Sequence, residues 1–278
     1  MSTPERDTSG PVATSPGAAT QRRLLPADDP ALFELGLDEL ADRWREAAGR
    51  SPMTAEAMTG ADRRGQRFGI PASVLMEHAG TAAAAATRAL AVERRRWGTG
   101  SILVLAGPGN NGGDGFVMAR RLARAGSHVV AVLVSTEARP GTRDASRNWD
   151  RLASEAEVTR MHAESARDLA VVARGVEKAS VLVDALLGTG VRGALRDPIR
   201  SAVEVVNRAR RAGVPVVAVD TPTAVDLTSG EPSEPVVRAD LTVTFHRPKT
   251  GLLTRRGAAL AGRVLVAPIG IPAEADRA

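Results

Sequence analysis

The chain of 278 residues has no cysteine and no tyrosine. Lacking thiols, it cannot form disulfides, use a thiolate nucleophile, or hold zinc or an iron–sulfur cluster through sulfur. Aromatic residues amount to 3%, which leaves few platforms on which bases could stack. The net charge of +5 comes from arginines dispersed among alanines and acids. It reads as a solvated surface with some attraction for a phosphorylated ligand, and no nucleic-acid partner is expected. Long apolar runs are missing as well. A membrane-spanning helix needs about 20 mostly apolar residues, and stretches such as Val129–Val134 fall well short. The arginine pair within Gln21–Leu25 starts like an export signal but runs into Pro26-Ala27-Asp28-Asp29-Pro30 with no apolar core behind it. The expectation is a soluble, cytoplasmic protein with no membrane segment.

Hydrophobic residues, at 43%, are numerous enough for a full core. The first residues, to about Pro30, are rich in Ser, Thr, Pro and Gly, so residues 1–50 are predicted to be a disordered extension. A short helix is expected within it over Ala31–Ala48, from the spacing of Leu32, Leu35, Leu37, Leu40 and Trp44. Residues 51–278 read as one domain. Helical segments over Thr54–Arg67 and Ala72–Arg96 precede apolar strands at Ile102–Ala106, Val129–Val134, Ser180–Val183, Val214–Val219, Leu241–Phe245 and Arg263–Ala267. Strands separated by helices imply crossovers and a mostly parallel sheet covered on both faces. The fold class is therefore α/β: a Rossmann-like, doubly wound, three-layer αβα domain.

Ligands of such sheets bind beyond the carboxyl ends of the strands, and three strand ends here carry polar residues. The first delivers Gly107-Pro108-Gly109-Asn110-Asn111-Gly112-Gly113-Asp114-Gly115 as a loop ahead of a helix; another delivers Asp184 and Gly188-Thr189-Gly190-Val191-Arg192-Gly193-Ala194; a third delivers Asp220, Pro222 and Thr223. Each acid alone can be a helix cap or a turn brace, but together they point to a site. The first loop contains the Gly-x-Gly-x-x-Gly spacing of a dinucleotide fingerprint, with Glu137 placed beyond the next strand where a ribose-binding acid sits. Asp114, however, would repel a phosphate set directly against it. The other reading is a cation site: Asn111 and Asp184, with the Thr223 hydroxyl, offer oxygen ligands for a hard cation.

Taken in order, GPGNNGGDG, "DALLGTG" at Asp184–Gly190, "AVDTP" at Ala218–Pro222 and "ADLTVTFHRPKTGLL" at Ala239–Leu253 resemble the NAD(P)H-hydrate epimerases, the YjeF N-terminal-domain family. So do "IPASVLMEHAG" at Ile70–Gly80 and "PIGIP" at Pro268–Pro272. The resemblance implies an isomerase that interconverts the R and S epimers of NADH and NADPH hydrated at C6 (NADHX and NADPHX), so that an S-specific dehydratase, expected on a separate chain, can restore the cofactor. It implies substrate contacts from Asn110, Asn111, Gly112, Gly113, Asp114, Gly188, Thr189, Gly190, Val191, Arg192, Gly193, Ala194 and Asp220. It further implies a potassium ion held by Asn111, Asp184 and Thr223, and it allows a homodimer. The carbon to be inverted is a hemiaminal, and both of its routes, loss and return of hydroxide or ring opening, move a proton. That role is assigned to Asp220, with Asp114 second.

The chain departs from the family pattern in places. Ala224 stands where the family usually has Gly after the Ser or Thr of the fifth strand, a costly change if that residue needs positive φ. His78 replaces a usual Asn, Ser135 replaces a frequent Lys, and Lys249 matches the family's "KxGL" lysine, which sits either at a solvated turn or near the ligand. These departures leave a second expectation beside the first, a protein that keeps the fold and binds an ADP-ribose-containing ligand without turning it over. A nicotinamide-dependent oxidoreductase ranks last, because no substrate domain is visible.

Overall fold

The computed structural model describes residues 24–189 and 193–276. The disorder expected for residues 1–50 therefore falls, over residues 1–23, outside the described part. From Leu24 onward the same stretch is folded. Helices α1 (Leu37–Arg43) and α2 (Arg45–Ala48) follow two short 3-10 turns, so the single expected helix is a broken one. Leu32, Leu40 and Trp44 are no more than 2% exposed and join the main core, so residues 24–50 belong to the folded body. Burying side chains of this size contributes about 1.5–3 kcal/mol each, and this offsets the ordering cost that the Ser- and Pro-rich composition suggested would win.

Helices α3 (Ala55–Arg67) and α4 (Ala72–Glu93) come next, the first capped by the Thr54 hydroxyl accepting from the Ala57 N–H. The alternation then begins: β1 (Ile102–Ala106), α5 (Asn110–Arg124), β2 (Val129–Val134), α6 (Arg143–Arg151), β3 (Val158–Ala163), α7 (Ala166–Val172), β4 (Val181–Ala185), α8 (Ile199–Arg211), β5 (Val216–Val219), β6 (Leu241–Phe245), α9 (Arg255–Ala261) and β7 (Arg263–Ala267). All pairings in the seven-stranded sheet are parallel, in the order β3-β2-β1-β4-β5-β6-β7. Successive residues of β1 point to opposite faces. Ile102, Val104 and Ala106 join the core under α4 and α5, whereas Leu103 and Leu105 join the one under α7 and α8. That is the expected three-layer α/β architecture.

Strand β3 was not among the strands read from the sequence. It is an edge strand whose Thr159 and Arg160 face solvent, so it lacks the unbroken apolar run of a strand buried on both faces. Among the described residues, no helix is long and apolar enough to cross a membrane.

Candidate functional site

The order of strands reverses direction between β1 and β4, and such a switch point is where a crevice opens at the carboxyl edge of a doubly wound sheet. A cavity of about 510 Å³ lies there. Its walls come from the loop after β1 and the start of α5 (Pro108, Gly109, Asn110, Asn111, Asp114), the loop after β4 (Leu186 to Thr189), and Asp220 after β5. Phe245 and Ile269 add to it, as do the faces of α3 and α4 that carry Met58, Asp62, Gln66, Leu75 and Met76.

The glycine-rich stretch is not the loop expected from the sequence. Helix α5 begins at Asn110 with Gly109 as its N-cap, so Asn110–Gly115 form its first turns. Gly, Asn and Asp are poor helix formers, and close packing overrides that propensity. A Cβ on Gly112 would overlap the Gly107 carbonyl, and one on Gly115 would lie 2.6 Å from Ala185 Cβ. The glycines thus press the start of the helix onto the ends of β1 and β4. No side chain caps α5, and the first N–H groups of an uncapped helix are free to receive an anion.

Asp114 sits one turn into α5, on the face shared with Asn110 and Asn111. Burial is the largest influence on its carboxyl, followed by the charges of Asp220 and Asp62, and together they hold its pKa well above the usual carboxylate value. This shift favours the uncharged carboxyl and so weakens the repulsion that Asp114 would exert on a phosphate at the end of the same helix.

Asp220 follows β5 with φ at +63°, a left-handed conformation that Asp tolerates better than most residues. Its Oδ1 accepts a 3.0 Å hydrogen bond from the Thr244 hydroxyl and lies 3.6 Å from Lys249 Nζ. Lys249 is fully buried, neither at a solvated turn nor lining the cavity. Its ammonium donates to Thr244 Oγ1 at 2.9 Å, to the Phe245 carbonyl at 2.7 Å and to the Arg247 carbonyl at 3.1 Å, so all three of its protons have partners. Burial pulls its pKa down, against Asp220 and Asp62, which raise it. The lysine braces Thr244 and, through it, Asp220.

Asp184 and Thr223 lie beneath the cavity floor, each with no exposure. The Thr223 hydroxyl donates to Asp184 Oδ1 and the Thr223 N–H to Oδ2, both at 2.7 Å, and the Leu186 N–H adds a third bond. Despite these bonds, burial lifts the Asp184 pKa to about 6. Thr223 Oγ1 also accepts from the Leu187 N–H, and the Asn111 side chain packs beside Gly188, so Asn111, Asp184 and Thr223 gather around one short loop. Neither polar atom of the Asn111 side chain has a hydrogen-bond partner among the described residues, although both are buried. A buried amide left unpaired costs about 1–3 kcal/mol. An oxygen-seeking cation beside Asn111 Oδ1 and the Asp184 carboxylate fits this donor set.

The remaining expected contacts divide. Gly188 and Thr189 line the cavity, while Gly112 and Gly113 are buried in helix packing behind it. Gly193 and Ala194 are exposed and not among the lining residues, and Gly190, Val191 and Arg192 lie outside the described residues. Glu137 is exposed, its N–H bonded to Ser135 Oγ, and it does not reach the cavity, which removes the support it gave to an ordinary dinucleotide fingerprint. His78 is 4% exposed and accepts a 3.1 Å hydrogen bond from the Ala27 N–H, so it ties the start of the folded chain to α4. Asp62 escaped the sequence reading. Its signal was the spacing of Met58, Asp62 and Gln66, four residues apart on one face of α3.

Known proteins are similar to this chain. A protein of Cenarchaeum symbiosum named NAD(P)H-hydrate epimerase is 35% identical over 229 residues, covering 81% of this chain and 98% of its own. The bifunctional NAD(P)H-hydrate repair enzyme Nnr of Pyrobaculum aerophilum is 39% identical, and the match spans 81% of this chain but only 42% of that longer protein. A crystal structure of yeast ynu0 superposes with a TM-score of 0.61 at 25% identity, covering 73% of this chain and 83% of that one. The family described as YjeF-related protein N-terminus matches residues 72–251, from the start of α4 to the loop after β6. With the glycine-rich helix start, the strand-end acids and the buried lysine all inside that span, the chain belongs to the YjeF-related protein N-terminus family.

Proposed function

We propose that the chain is an isomerase that interconverts the R and S epimers of NADHX and NADPHX. The observation that carries this reading is the cavity at the switch point, where an uncapped helix N-terminus and aspartates of elevated pKa face one space. The pyrophosphate of the hydrated dinucleotide fits the first N–H groups of α5, and the hydrated ring fits near Asp220. Names of relatives at 33% and 35% identity, both NAD(P)H-hydrate epimerase, support the same substrate.

Asp220 is the acid/base that moves a proton at the C6 hydroxyl, with Asp114 as its second. Lys249 and Thr244 fix the Asp220 carboxylate in place. Asn111, Asp184 and Thr223 hold a potassium ion; when bound, it supplies a fixed positive charge beneath the cavity floor and satisfies the buried Asn111 oxygen and Asp184 carboxylate. The functional partner is an S-specific dehydratase, in keeping with the word bifunctional in the names of the longer NAD(P)H-hydrate repair relatives. A cytoplasmic setting suits a substrate made from reduced cofactor.

The test is the conversion of pure R-NADHX to the S epimer in potassium buffer, at mildly alkaline pH where the spontaneous reaction is slow, followed by chromatography. Asp220→Asn should slow it by roughly 10²–10⁴-fold; Asn also tolerates the positive φ, but losing the charge that faces the buried Lys249 ammonium should lower the melting temperature. Wild-type protein that binds the hydrate yet gives no exchange above background would overturn the proposal in favour of a binding protein of the same fold.

A further inference from the structure

The chemistry assigned to Asp220 leaves a geometric problem. Inverting C6 requires that a hydroxyl leave one face of the ring and return to the other, and one carboxylate does not serve both faces at once. Asp114 and Asp220 both belong to the carboxyl edge of the sheet, one at the start of α5 and one after β5. Asp62 belongs to a different wall. It lines the same cavity from α3, between Met58 and Gln66, whose apolar and amide side chains leave it the only ionisable group on that stripe.

The wall is firmly placed. Met53, just ahead of α3, forms a parallel bridge with Lys249, through bonds from the Met53 N–H to the Pro248 carbonyl (2.9 Å) and from the Thr250 N–H to the Met53 carbonyl (3.0 Å). At its other end, Arg64 Nε donates to the Ala275 carbonyl, and Gly65 packs on Ile271. The helix that carries Asp62 is thus clamped to the segment that braces Asp220.

We propose that Asp62 is a catalytic residue of the epimerisation, working as the acid opposite Asp220 as the base. The proposal rests on the epimerase reading above. In the R-to-S direction Asp62 gives its proton to the C6 hydroxyl as the C6–O bond breaks. The bonding pair leaves with the water formed, and the N1 lone pair closes a C6=N1 bond. Water then adds to the other face of C6, that pair returns to N1, and the proton released by the water passes to Asp220. The substrate's composition is unchanged, one proton has moved between the carboxyls, and exchange with solvent water returns it before the next turnover. Asp62 is suited to the acid role because burial, and then the charge of Asp220, lift its pKa to about 6 against the opposing pull of Lys249.

The experiment measures R-to-S exchange, with kcat, KM and pH profile, for wild type, Asp62→Asn and Asp62→Glu, together with melting temperatures. Asp62→Asn is expected to lower kcat by roughly 10²-fold or more, to change KM by less than about threefold, and to abolish the fall in rate above about pH 6 that is expected of the wild type. Asp62→Glu should recover part of the rate and the pH limb. Rates within threefold of wild type in both variants would overturn the proposal while leaving the epimerase reading intact. A loss of rate that kept the wild-type pH profile would make Asp62 merely structural and would overturn it as well. A wild-type protein without exchange would overturn the epimerase reading itself, and this inference with it.

Discussion

Ala224 shows at the scale of one residue how a sequence departure becomes a physical cost. Its φ is +75°, in the left-handed region where a Cβ is disfavoured, so the chain carries strain where its family usually has Gly. Ala224→Gly is expected to raise stability by about 1 kcal/mol in denaturant unfolding, a little less if the lost methyl packs well. Asp184 carries a different cost. Its pKa near 6 lies above the usual 3.8, so the folded state binds the extra proton, and its contribution to stability declines as pH rises from about 4 to 6. Above that window the proposed cation would offset the buried charge. Exchanging potassium for tetramethylammonium should therefore lower the melting temperature at pH 7.5 more than at pH 5. At a hundredfold excess over Kd the potassium effect approaches about 2.7 kcal/mol. Equal shifts at both pH values would remove Asp184 from the ligand set. Asp220, Asp184 and Thr223 could be found in the sequence because each ends or adjoins an apolar strand. Asp62 left only the four-residue spacing on α3 as a signal and the burial of Lys249 left none, since only the folded chain brings α3 against the loop after β6.

At the scale of elements, the segment from Leu24 to Ala48 behaves as part of the core rather than as an appendage. Trp44 is 2% exposed, and Trp44→Ala should cost about 3–5 kcal/mol by denaturant unfolding. His78 adds a pH-sensitive tie to this segment. Its pKa is lowered, chiefly by burial and slightly further by Arg121, with Asp28 and Glu77 opposing. The folded state thus favours neutral imidazole, whose Nδ1 accepts from Ala27. That contribution is complete above the unfolded pKa of about 6.5 and is lost as pH falls below it. Hydrogen exchange of residues 27–35 should accelerate between pH 6.5 and 5.5 after correction for intrinsic rates, and His78→Asn should flatten the dependence. The elements best legible from sequence were the inner strands, whose apolar runs mark burial on both faces. Strand β3 was hidden by its polar outer face, and the start of α5 by glycines chosen for contact rather than for helix propensity.

For the whole molecule, the alternation of strands and helices was enough to predict the doubly wound sheet, and the position of the switch point followed from the order in which the strands lie. What the alternation could not convey is how the two ends of the described chain meet. The bridge between Met53 and Lys249 joins residues 196 positions apart in the chain. Contacts of such separation form late, because the loop between them must first be closed. On the ribosome, β1, α5, β4 and β5 emerge with Asp114, Asp184 and Asp220 before Thr244 and Lys249, which brace Asp220, are added. Only afterwards does the clamp on α3 close and bring Asp62 to the other carboxylates. A chain lacking Lys249 would keep most of the carboxylates of the cavity yet lose the clamp that holds the α3 wall against them.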